Sequence, residues 1–419
     1  MANISRIGII GGGAAGIMAA ATILESNSAK QLEVHLFEKN KTLGVKVAIS
    51  GGGRCNVTTG IVDKRLLLSK YIRGSKFLAP AFAAFSPAKV KDWFDEHNVP
   101  LKIESDLRVF PESDIGQDIV EVFLKIFQDK RMHIHYLEAI TNVESYTEGQ
   151  FKLTSINTEY ICDKLIITTG GNAYSHTGST GDGYAFAKTL GHSISQLGPS
   201  LNSFQTQENW CKELSGISFS QASLSATLAT GEIVKVKGPM LFTHFGISGP
   251  AVFALAAHIA YETINSSKPL VIQFKPEADL DFSRWDMWLQ TAASSKGKKL
   301  LVNILTEERL PHRFCSQLLT IAQISPDMKG AELNRINRKR LAHLLSGNLE
   351  IQLSARRPGD EFVTAGGVEL REVDPKTMRS KHNSNLYFAG EVLNIDGLTG
   401  GFNLQAAWAT GRVAGLAIT

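Results

Sequence analysis

The chain has 419 residues, of which 43% are hydrophobic and 20% charged, and its 44 basic residues nearly balance its 40 acidic ones. This composition is typical of a folded globular protein of two or three domains. Because the charges nearly balance, net charge gives no reason to predict a surface that binds nucleic acid or a membrane. The four cysteines form no CxxC pair, which argues against a disulfide framework, a zinc site and a redox-active dithiol. We therefore expect a cytosolic protein.

The N-terminal stretch RIGIIGGGAAGIMAAATIL predicts a strand, a tight turn and a helix. Gly11, Gly13 and Gly16 have the GxGxxG spacing of a dinucleotide-binding turn. The first glycine permits the turn, the second lets the backbone approach a pyrophosphate, and the third allows helix and strand to pack closely. The next β-type run ends in Glu38, an acidic residue suited to ribose hydroxyls. Because glycines interrupt the apolar run early, we do not interpret it as a secretory signal peptide.

The loop GVKVAISGGGRCNVTTG, residues 44–60, follows that second strand. Three successive glycines predict a backbone that passes very close to something or takes positive φ. The apolar residues before the glycines make a flexible surface loop the less favoured alternative. What the loop is wrapped around depends on the C-terminal part of the chain.

Residues 383–415, NSNLYFAGEVLNIDGLTGGFNLQAAWATGRVAG, predict another strand, glycine-rich loop and helix. An NAD-binding fold needs no second element so far along the chain, whereas FAD is long enough to contact both. The pattern resembles the second FAD fingerprint of glutathione-reductase-type flavoproteins, in which a carboxylate after Ala-Gly holds the ribityl chain. The resemblance gives that role to Glu391. It also directs the backbone N–H groups of Phe402 and Asn403, at a helix N-terminus, to the pyrimidine edge of the flavin.

The same resemblance assigns the remaining glycine-rich segments. In such flavoproteins the segment after the second strand runs beneath the pyrophosphate and beside the isoalloxazine. This implies that Lys46 or Arg54 balances phosphate charge and that Asn56 faces the ring system or the substrate. DKLIITTGG, residues 163–171, resembles a strand-end segment of the superfamily, and a backbone contact with adenine is assigned to Ile140.

These segments, together with RVFP, TGSTGDGY and FTHFGISGPA, resemble one bacterial family. It is the FAD-dependent NAD(P)/FAD oxidoreductases that include aminoacetone-oxidase-like proteins and a reductase of unsaturated bile-acid intermediates. The resemblance spans nearly the whole chain, is weakest from about residue 279 to 349, and departs at Asn394, where relatives often carry Asp. It implies non-covalent FAD bound by Gly11, Gly13, Ala14, Ala15, Gly16, Glu38, Lys39, Lys46, Ser50, Gly51, Gly52, Gly53, Arg54, Cys55, Asn56, Ile140, Thr169, Gly170, Gly171, Gly390, Glu391, Gly400, Gly401, Phe402 and Asn403.

The predicted fold class is α/β, with a Rossmann-like, glutathione-reductase-type FAD-binding domain and an inserted β-rich plus helical domain. The FAD-binding domain takes residues 1–193 and 352–419, the β-rich substrate domain 194–278, and the helical subdomain 279–351. SLSATLATGEIVKVKG predicts two strands with Gly231 at their turn, and residues 248–264 predict a buried helix that is short for a membrane span. Asp182 is expected to cap a helix that Gly191 ends.

The flavin carries the redox chemistry, so the protein must orient a substrate and exclude water. The candidate catalytic residues are His244, Arg108 and Asn56. His244 is either a proton donor, since histidine changes charge near neutral pH, or a core histidine, and Arg108 either binds a substrate oxygen or forms a salt bridge. We attribute His133 and His135 to strand alternation, because no third metal ligand lies at a useful spacing.

The favoured function is an FAD enzyme that acts on a small organic molecule and takes electrons from NAD(P)H as a transient visitor. We find no second strand–GxGxxG–helix unit between residues 195 and 354 to hold that nucleotide. An amine or aminoketone oxidase that uses oxygen is the first alternative. The second is a flavin-dependent RNA-modifying or interaction protein, prompted by the basic residues 331–345, although a solvated helix face is preferred there. We expect no metal and no membrane partner.

Overall fold

The computed structural model describes residues 4–26, 31–307, 310–359 and 361–419. The chain divides into two units: unit 1 comprises Met1–Ser200 with Phe362–Thr419, and unit 2 comprises Leu201–Glu361. The inserted segment thus runs from residue 201 to residue 361, whereas the sequence predicted an insertion from residue 194 to residue 351. The further separation of the insertion into a β-rich and a helical domain stays a prediction.

The strands of unit 1 form a parallel central sheet and smaller antiparallel ones. The central sheet has the order β20-β11-β1-β2-β7, and all its neighbours are parallel. Numbered in chain order through both units, the strands of unit 1 are β1 (Ser5–Ile10), β2 (Leu32–Glu38), β3 (Thr58–Thr59), β4 (Tyr71–Arg73), β5 (Leu101–Ile103), β6 (Arg108–Pro111), β7 (Met132–Tyr136), β8 (Ile140–Ser145), β9 (Phe151–Ser155), β10 (Glu159–Cys162), β11 (Lys164–Ile167), β12 (Gly198–Ser200), β19 (Val363–Ala365), β20 (Leu386–Phe388) and β21 (Asp396–Gly397).

Short apolar strands build this central sheet. The last four residues of β1 and the last three of β11 and β20 are buried, as expected for a parallel sheet that is covered on both faces. The antiparallel strands pair as β10-β9-β8, β3-β6-β5, β12-β19 and β21-β4. The chain therefore contributes its N-terminal strands and the late strand β20 to one sheet, which confirms the predicted Rossmann-type fold class.

Helices α1 and α14 of unit 1 cross closely. A Cβ at Gly411 would overlap the backbone of Ala15, and one at Gly415 would lie 2.8 Å from the carbonyl oxygen of Ala19. Since contacts advance in the same direction along both helices, the two run parallel. The helices of unit 1 are α1 (Ala14–Glu25), α2 (Val45–Ile49), α3 (Lys64–Leu68), α4 (Ser75–Ala84), α5 (Pro87–Glu96), α6 (Gly116–Ile126), α7 (Asp182–Thr189) and α14 (Phe402–Ile418).

Unit 2 contains a closed antiparallel barrel of order β13-β16-β15-β14-β17-β18. Edge-to-face rings of Phe219, Phe242, Phe274 and Phe314 pack in its core. Its elements are β13 (Phe204–Thr206), β14 (Ser218–Thr227), β15 (Ile233–Thr243), β16 (Gly246–Ser248), β17 (Leu270–Lys275), β18 (Leu349–Arg356), α8 (Asn209–Glu213), α9 (Pro250–His258), α10 (Phe282–Ser295), α11 (Leu301–Thr306), α12 (His312–Ile321) and α13 (Arg335–His343).

Several local predictions are confirmed in these elements. Strands β14 and β15 form a hairpin whose turn contains Gly231 at φ 86°, and α9 buries most of its apolar residues. Gly191 follows α7 at φ 86°, as a helix-ending glycine should. The cap assigned to Asp182 is wrong, because Gly181 occupies the cap position and Asp182 is the first helical residue. Within the described residues, no helix has both the length and the apolar character to cross a bilayer.

Candidate functional site

The first glycine turn joins β1 to α1, and its three glycines meet different surroundings. Gly11 has φ 106°, and a Cβ there would lie 2.6 Å from the carbonyl oxygen of Thr168. A Cβ at Gly16 would overlap the carbonyl oxygen of Gly11. At Gly13, by contrast, φ is −80° and a Cβ would meet no atom of the described residues within 4 Å. Gly11 and Gly16 are therefore required by packing, whereas Gly13 leaves a bare backbone surface.

Among the described residues, no side chain caps the N-terminus of α1. Its cap residue Gly13 offers no side-chain hydrogen bond, and no acidic residue lies in the first turn, which begins with Ala14 and Ala15. The first N–H groups of a helix have no intrahelical acceptor, and the helix dipole makes this end positive. The turn is thus a suitable place for an anion such as a pyrophosphate.

Glu38 ends β2 beside this turn and is 8% exposed. Its Oε2 accepts a hydrogen bond from the backbone N–H of Gly12 at 2.8 Å, and its Oε1 accepts two from Asn40 at 2.8 Å. A carboxylate has about four acceptor positions, so one remains for a further donor such as a ribose hydroxyl. Glu38 therefore holds the turn together and keeps one acceptor position available.

The neighbouring Lys39 is held by α7. Its Nζ donates to Oδ2 of Asp182 at 2.6 Å and to the hydroxyl of Thr180. This ion pair is the role that the structure gives to Asp182 in place of the predicted cap.

The triple-glycine loop has a defined left-handed course. Gly51, Gly52 and Gly53 have φ of 59°, 74° and 88°, so each position favours glycine. The loop is closed by a hydrogen bond from the N–H of Cys55 to the carbonyl of Ser50 at 2.9 Å. A Cβ at Gly52 or Gly53 would meet no protein atom within 4 Å. This is a second stretch of bare backbone. Burial raises the pKa of the Cys55 thiol to about 12, so this cysteine is no nucleophile near neutral pH.

The contacts of the Arg54 side chain differ from the phosphate contact predicted for it. Its guanidinium donates to Glu104 at 2.7 Å and to Asp114 at 3.3 Å, and it lies 3.8 Å from the centre of the Phe110 ring. These contacts satisfy its charge and anchor the loop to β5 and β6. The other cation considered for the phosphate, Lys46, contacts a single carboxylate, that of Glu391, at 3.1 Å.

Arg108 likewise forms the salt bridges of its second interpretation. Its Nε donates to Asp106 at 2.6 Å and its Nη2 to Glu104 at 3.3 Å. Because two carboxylates already balance its charge, a substrate oxygen would have to displace one of them. Arg108 is therefore a poorer candidate for substrate binding than the sequence indicated.

Glu391 joins three of the predicted segments at one point. Lys46 from the loop after β2 donates to its Oε2 at 3.1 Å, and a Cβ at Gly171 would lie 2.6 Å from its Oε1. The same Oε1 accepts the backbone N–H of Thr364 at 2.9 Å, and the Thr364 hydroxyl accepts the N–H of Asn172 at 2.7 Å. The sequence motifs did not predict a role for Thr364. The glycine pair of the adjacent stretch VTAGG was the available signal.

The segment after β11 supplies tight turns and one unpaired group. Gly170 has φ 74°, and a Cβ there would lie 2.6 Å from the hydroxyl oxygen of Ser179. The hydroxyl of Thr169 is buried and has no hydrogen-bond partner among the described residues. Ile140 begins β8 with a side chain in the core of unit 1, so the assigned adenine contact is left to its backbone.

Helix α14 begins in the same uncapped way as α1. Gly401 precedes it at φ 84° with no side-chain cap, and its first turn contains no acidic residue. The Asn403 side chain bonds both the N–H and the carbonyl of Gly397 at 2.9 Å, while Asn56 Oδ1 would lie 3.0 Å from a Cβ at Gly401. The first backbone N–H groups, including that of Phe402, are left without intrahelical acceptors.

The remaining glycines of this region keep the chain close to its neighbours. A Cβ at Gly390 would lie 2.8 Å from Cβ of Ala15, and one at Gly400 would lie 2.9 Å from the Phe402 ring. Both have positive φ, at 78° and 124°. These glycines thus serve packing and turn geometry in the described structure.

The two uncapped helix ends have a defined offset. Gly411 meets Ala15, so α14 begins nine residues before this crossing (411 − 402) and α1 one residue before it (15 − 14). Eight residues of helix correspond to about 12 Å. One extended molecule with an anionic group at α1 and an acceptor ring further along can therefore reach both ends. The bare glycine backbone and the open acceptor of Glu38 also fit FAD.

His244 lies in unit 2, in the turn between β15 and β16. It is exposed, and its ring meets the edge of Phe245 with 5.1 Å between ring centres. The alternative of a core histidine is therefore wrong. His244 follows the alternating strand β15 in a turn, so its side chain is exposed to solvent. The apolar residues next to it in the sequence had favoured a buried position.

His133 and His135 lie in a strand, as the attribution to strand alternation predicted, but other potential ligand side chains lie near His133 in space. Their strand β7 pairs with β2, which aligns His35 with His133 and brings Glu33 into the same cluster. His35 Nδ1 lies 3.1 Å from His135 Nε2. Pairing of the two strands, which the spacing within β7 could not reveal, assembles these side chains.

The fold and this arrangement define a Rossmann-type FAD-dependent oxidoreductase. A family described as HI0933-like protein Rossmann domain matches residues 5–417, and the chain belongs to that family.

Curated relatives are similar over nearly their whole length. The chain is 28% identical to the 3-dehydro-bile acid delta(4,6)-reductase of Clostridium scindens, over 99% of this chain and 98% of that protein. It is 27% identical to the ribosomal RNA dihydrouridine synthase of Escherichia coli, over 96% and 95%. It is 29% identical to the protein of that name from Haemophilus influenzae, over 100% of both. Among solved structures, Escherichia coli quinol fumarate reductase FrdA is similar in fold, with a TM-score of 0.50 and 14% identity over 98% of this chain and 69% of that one.

Proposed function

We propose that this flavoenzyme reduces a carbon–carbon double bond that is conjugated with a carbonyl group. The observation that carries the proposal is the bond shared by the named activities of its relatives. A delta(4,6)-reductase of a 3-dehydro bile acid acts on double bonds that are conjugated with a ketone. A dihydrouridine synthase saturates the ring double bond that is conjugated with a uracil carbonyl. Such a bond accepts a hydride at one carbon and a proton at the other.

We propose that the described residues of unit 1 hold FAD non-covalently. The N–H groups at Gly13, Ala14 and Ala15 would face the pyrophosphate, and Glu38 would accept from the adenosine ribose. Glu391, with Lys46 beside it, would face the ribityl chain. When bound, FAD supplies the two-electron chemistry by accepting a hydride and passing one on to the substrate.

The uncapped start of α14 supports reduction chemistry. Positive helix ends stabilise nearby negative charge by about 0.3–1 kcal/mol, and more where water is excluded. The N–H groups of Phe402 and Asn403 would provide this field at the ring edge. The first turn of α14 contains no acidic residue that would weaken this positive field. The helix end would therefore favour the reduced, electron-rich form of a flavin ring that lies against it.

We propose that NAD(P)H is a transient visitor. All pairs of the unit 2 barrel are antiparallel in the described residues, whereas a dinucleotide-binding unit requires parallel strands joined by a helix. Unit 2 thus offers no second Rossmann unit within those residues. The electron donor would then enter and leave before the substrate binds.

This transient binding predicts ping-pong kinetics. Initial rates measured over a grid of NAD(P)H and substrate concentrations should give parallel double-reciprocal lines, because the two molecules use one site in turn. A titration of the oxidised enzyme with NAD(P)⁺ should reveal no tight stoichiometric complex. Intersecting lines together with such a complex would contradict the proposal.

The second hydrogen of the product is a proton, and the chain must help to deliver it. His244 is our candidate donor, because it is an exposed imidazole in unit 2. Asn56, which lies beside the start of α14, is proposed to orient the carbonyl oxygen of the substrate. Arg108 is retained only as an alternative for that oxygen, since its salt bridges would have to open.

Two substrate classes carry the required bond: small organic carbonyl compounds and uridine in RNA. The structure supports the small molecule in one respect. On the basic helix α13, Arg338 pairs with Asp286 at 2.8 Å and Arg340 donates to the carbonyl of Ala322 at 2.7 Å, so two cations serve internal contacts. The names of two relatives support uridine in ribosomal RNA, and we keep it as the second candidate.

A paired product analysis tests the proposal and separates the classes. The holoenzyme with NADH or NADPH is incubated anaerobically with a 3-oxo-4-ene steroid and, in parallel, with ribosomal RNA that lacks dihydrouridine. Saturation adds two hydrogens, which mass spectrometry detects in the steroid or in the digested nucleosides. A product in either arm supports reduction of a conjugated double bond and identifies the class. In a separate aerobic assay, oxygen consumption by the enzyme in the presence of an amine or aminoketone, with neither reduction product formed in the anaerobic arms, would support the oxidase alternative.

A further inference from the structure

A cluster of two histidines and one glutamate lies in unit 1, outside the site described above. His192 follows α7, Glu372 ends the short turn Leu370–Glu372, and His382 lies in the loop before β20. We propose that His192, Glu372 and His382 form a binding site for a divalent transition-metal ion of the zinc type.

The distances between the ligand atoms fit one shared ion. Nδ1 of His192 lies 3.3 Å and Nε2 of His382 lies 3.6 Å from the same carboxylate oxygen, Oε2 of Glu372. Two atoms that each lie about 2.0–2.1 Å from a tetrahedral zinc ion are about 3.3–3.4 Å apart. The three atoms all lie within 4.8 Å of one another. Small adjustments of the more exposed His382 therefore suffice to complete the arrangement.

The buried histidine is already oriented as a ligand. The His192 side chain is fully buried, and its Nε2 lies 2.8 Å from the hydroxyl oxygen of Ser380. Its Nδ1 is buried and faces Oε2 of Glu372 at 3.3 Å. A hydrogen bond to the second ring nitrogen is the usual device that fixes a metal-binding histidine. The ring thus presents Nδ1 toward the carboxylate of Glu372.

The carboxylate of the cluster has a fixed position. Glu372 also accepts the backbone N–H of Ser193 at 2.8 Å, which holds the carboxylate in place. Neutral imidazoles and a carboxylate are the forms that bind metal.

Solvent can supply the fourth position. His382 is about half exposed, at 47% of its side chain, and it lines a surface pocket of about 590 Å³ with Asp374 and Ser380. Lys381 also lines this pocket, but its ammonium donates to the carbonyl of Arg371 at 2.8 Å. Water in the pocket would complete a tetrahedral site with three protein ligands.

The place of the cluster indicates a structural role. Asp182, at one end of α7, pairs with Lys39 beside the glycine turn, whereas His192 lies beyond the other end. Eight helical residues separate these ends by about 12 Å. An ion here would join the end of α7 to the chain preceding β20, and so stabilise unit 1 without contacting the cofactor turn.

Zinc binding by the untagged holoenzyme tests the proposal. Calorimetric titration with ZnSO₄ should detect one bound zinc ion in the wild type. The affinity for this ion should fall at least about tenfold in His382→Ala and in Glu372→Gln. The matched control is His133→Ala, which removes a histidine from the Glu33–His35–His133 cluster and should keep that ion. Zinc should raise the melting temperature of the wild type and the control, but not of His382→Ala.

Two results would overturn the site. One is unchanged zinc stoichiometry and affinity in both His382→Ala and Glu372→Gln. The other is loss of the ion in His133→Ala, which would assign the binding to the other cluster. His382 is exposed, so its replacement should leave the fold intact, and an unchanged FAD content with an unchanged metal-free melting temperature verifies this.

Discussion

Gly13→Ala is expected to weaken FAD binding by roughly 5- to 150-fold while leaving the melting temperature of the FAD-free protein unchanged. The φ of −80° suits alanine, and the added methyl group would meet no protein atom within 4 Å. If the pyrophosphate lies against this backbone, the methyl group must overlap it. Such overpacking costs about 1–3 kcal/mol, which corresponds to that range of affinity.

Gly11→Ala is the matched control for that experiment. A methyl group there would lie 2.6 Å from the carbonyl oxygen of Thr168, at a φ of 106° that alanine rarely adopts. This variant should lower the melting temperature even without FAD. Thermal unfolding and a fluorescence titration with FAD separate the two effects. Unchanged FAD affinity in Gly13→Ala would mean that the cofactor does not pass over this glycine.

Glu38→Ala is expected to weaken FAD binding by about ten- to a hundredfold. Hydrogen bonds to a charged group contribute about 1.5–3 kcal/mol, and the ribose would lose its acceptor. The variant also leaves the N–H of Gly12 without its 2.8 Å partner, so the FAD-free protein should become less stable. FAD affinity is measured by titration at a temperature well below unfolding.

Glu33→Ala provides the comparison for Glu38, because Glu33 lies on the same strand but far from the glycine turn. It should leave FAD affinity unchanged. Equal affinities in wild type and Glu38→Ala would show that Glu38 only holds the turn and does not bind the ribose.

The fold could be predicted from the sequence because its signals are local. The turn at Gly11 and Gly16 needs glycine for steric reasons that act within a few residues and one neighbouring strand. The hairpin at Gly231 and the apolar helix α9 are equally local. These elements follow from backbone conformation and periodicity, which a single sequence displays directly.

Side-chain partners could not be predicted in the same way, because distant segments supply them. Arg54 is paired with Glu104 and Asp114, and nothing near Arg54 in the chain indicates those carboxylates. The joining of Lys46 to Glu391 likewise connects opposite ends of the chain. The roles of cationic side chains therefore follow least directly from the sequence, whereas the backbone conformations of the glycine turns follow most directly.

The histidine–glutamate clusters illustrate the same limit. Glu33 and His35 reach His133 only through the pairing of β2 with β7. Spacing within one strand is therefore no guide to whether a third ligand exists. A topological prediction of neighbouring strands would have been needed to find it.

The most direct measurement is anaerobic stopped-flow absorbance of the flavin in two successive mixings. The oxidised holoenzyme is first mixed with NADH or NADPH, and its visible flavin absorbance should decrease as the flavin accepts a hydride. It is then mixed with the steroid or RNA that gave product, and the absorbance should return without oxygen. A flavin that is reduced but regains its absorbance only when oxygen is admitted would contradict the proposed reduction of a conjugated double bond.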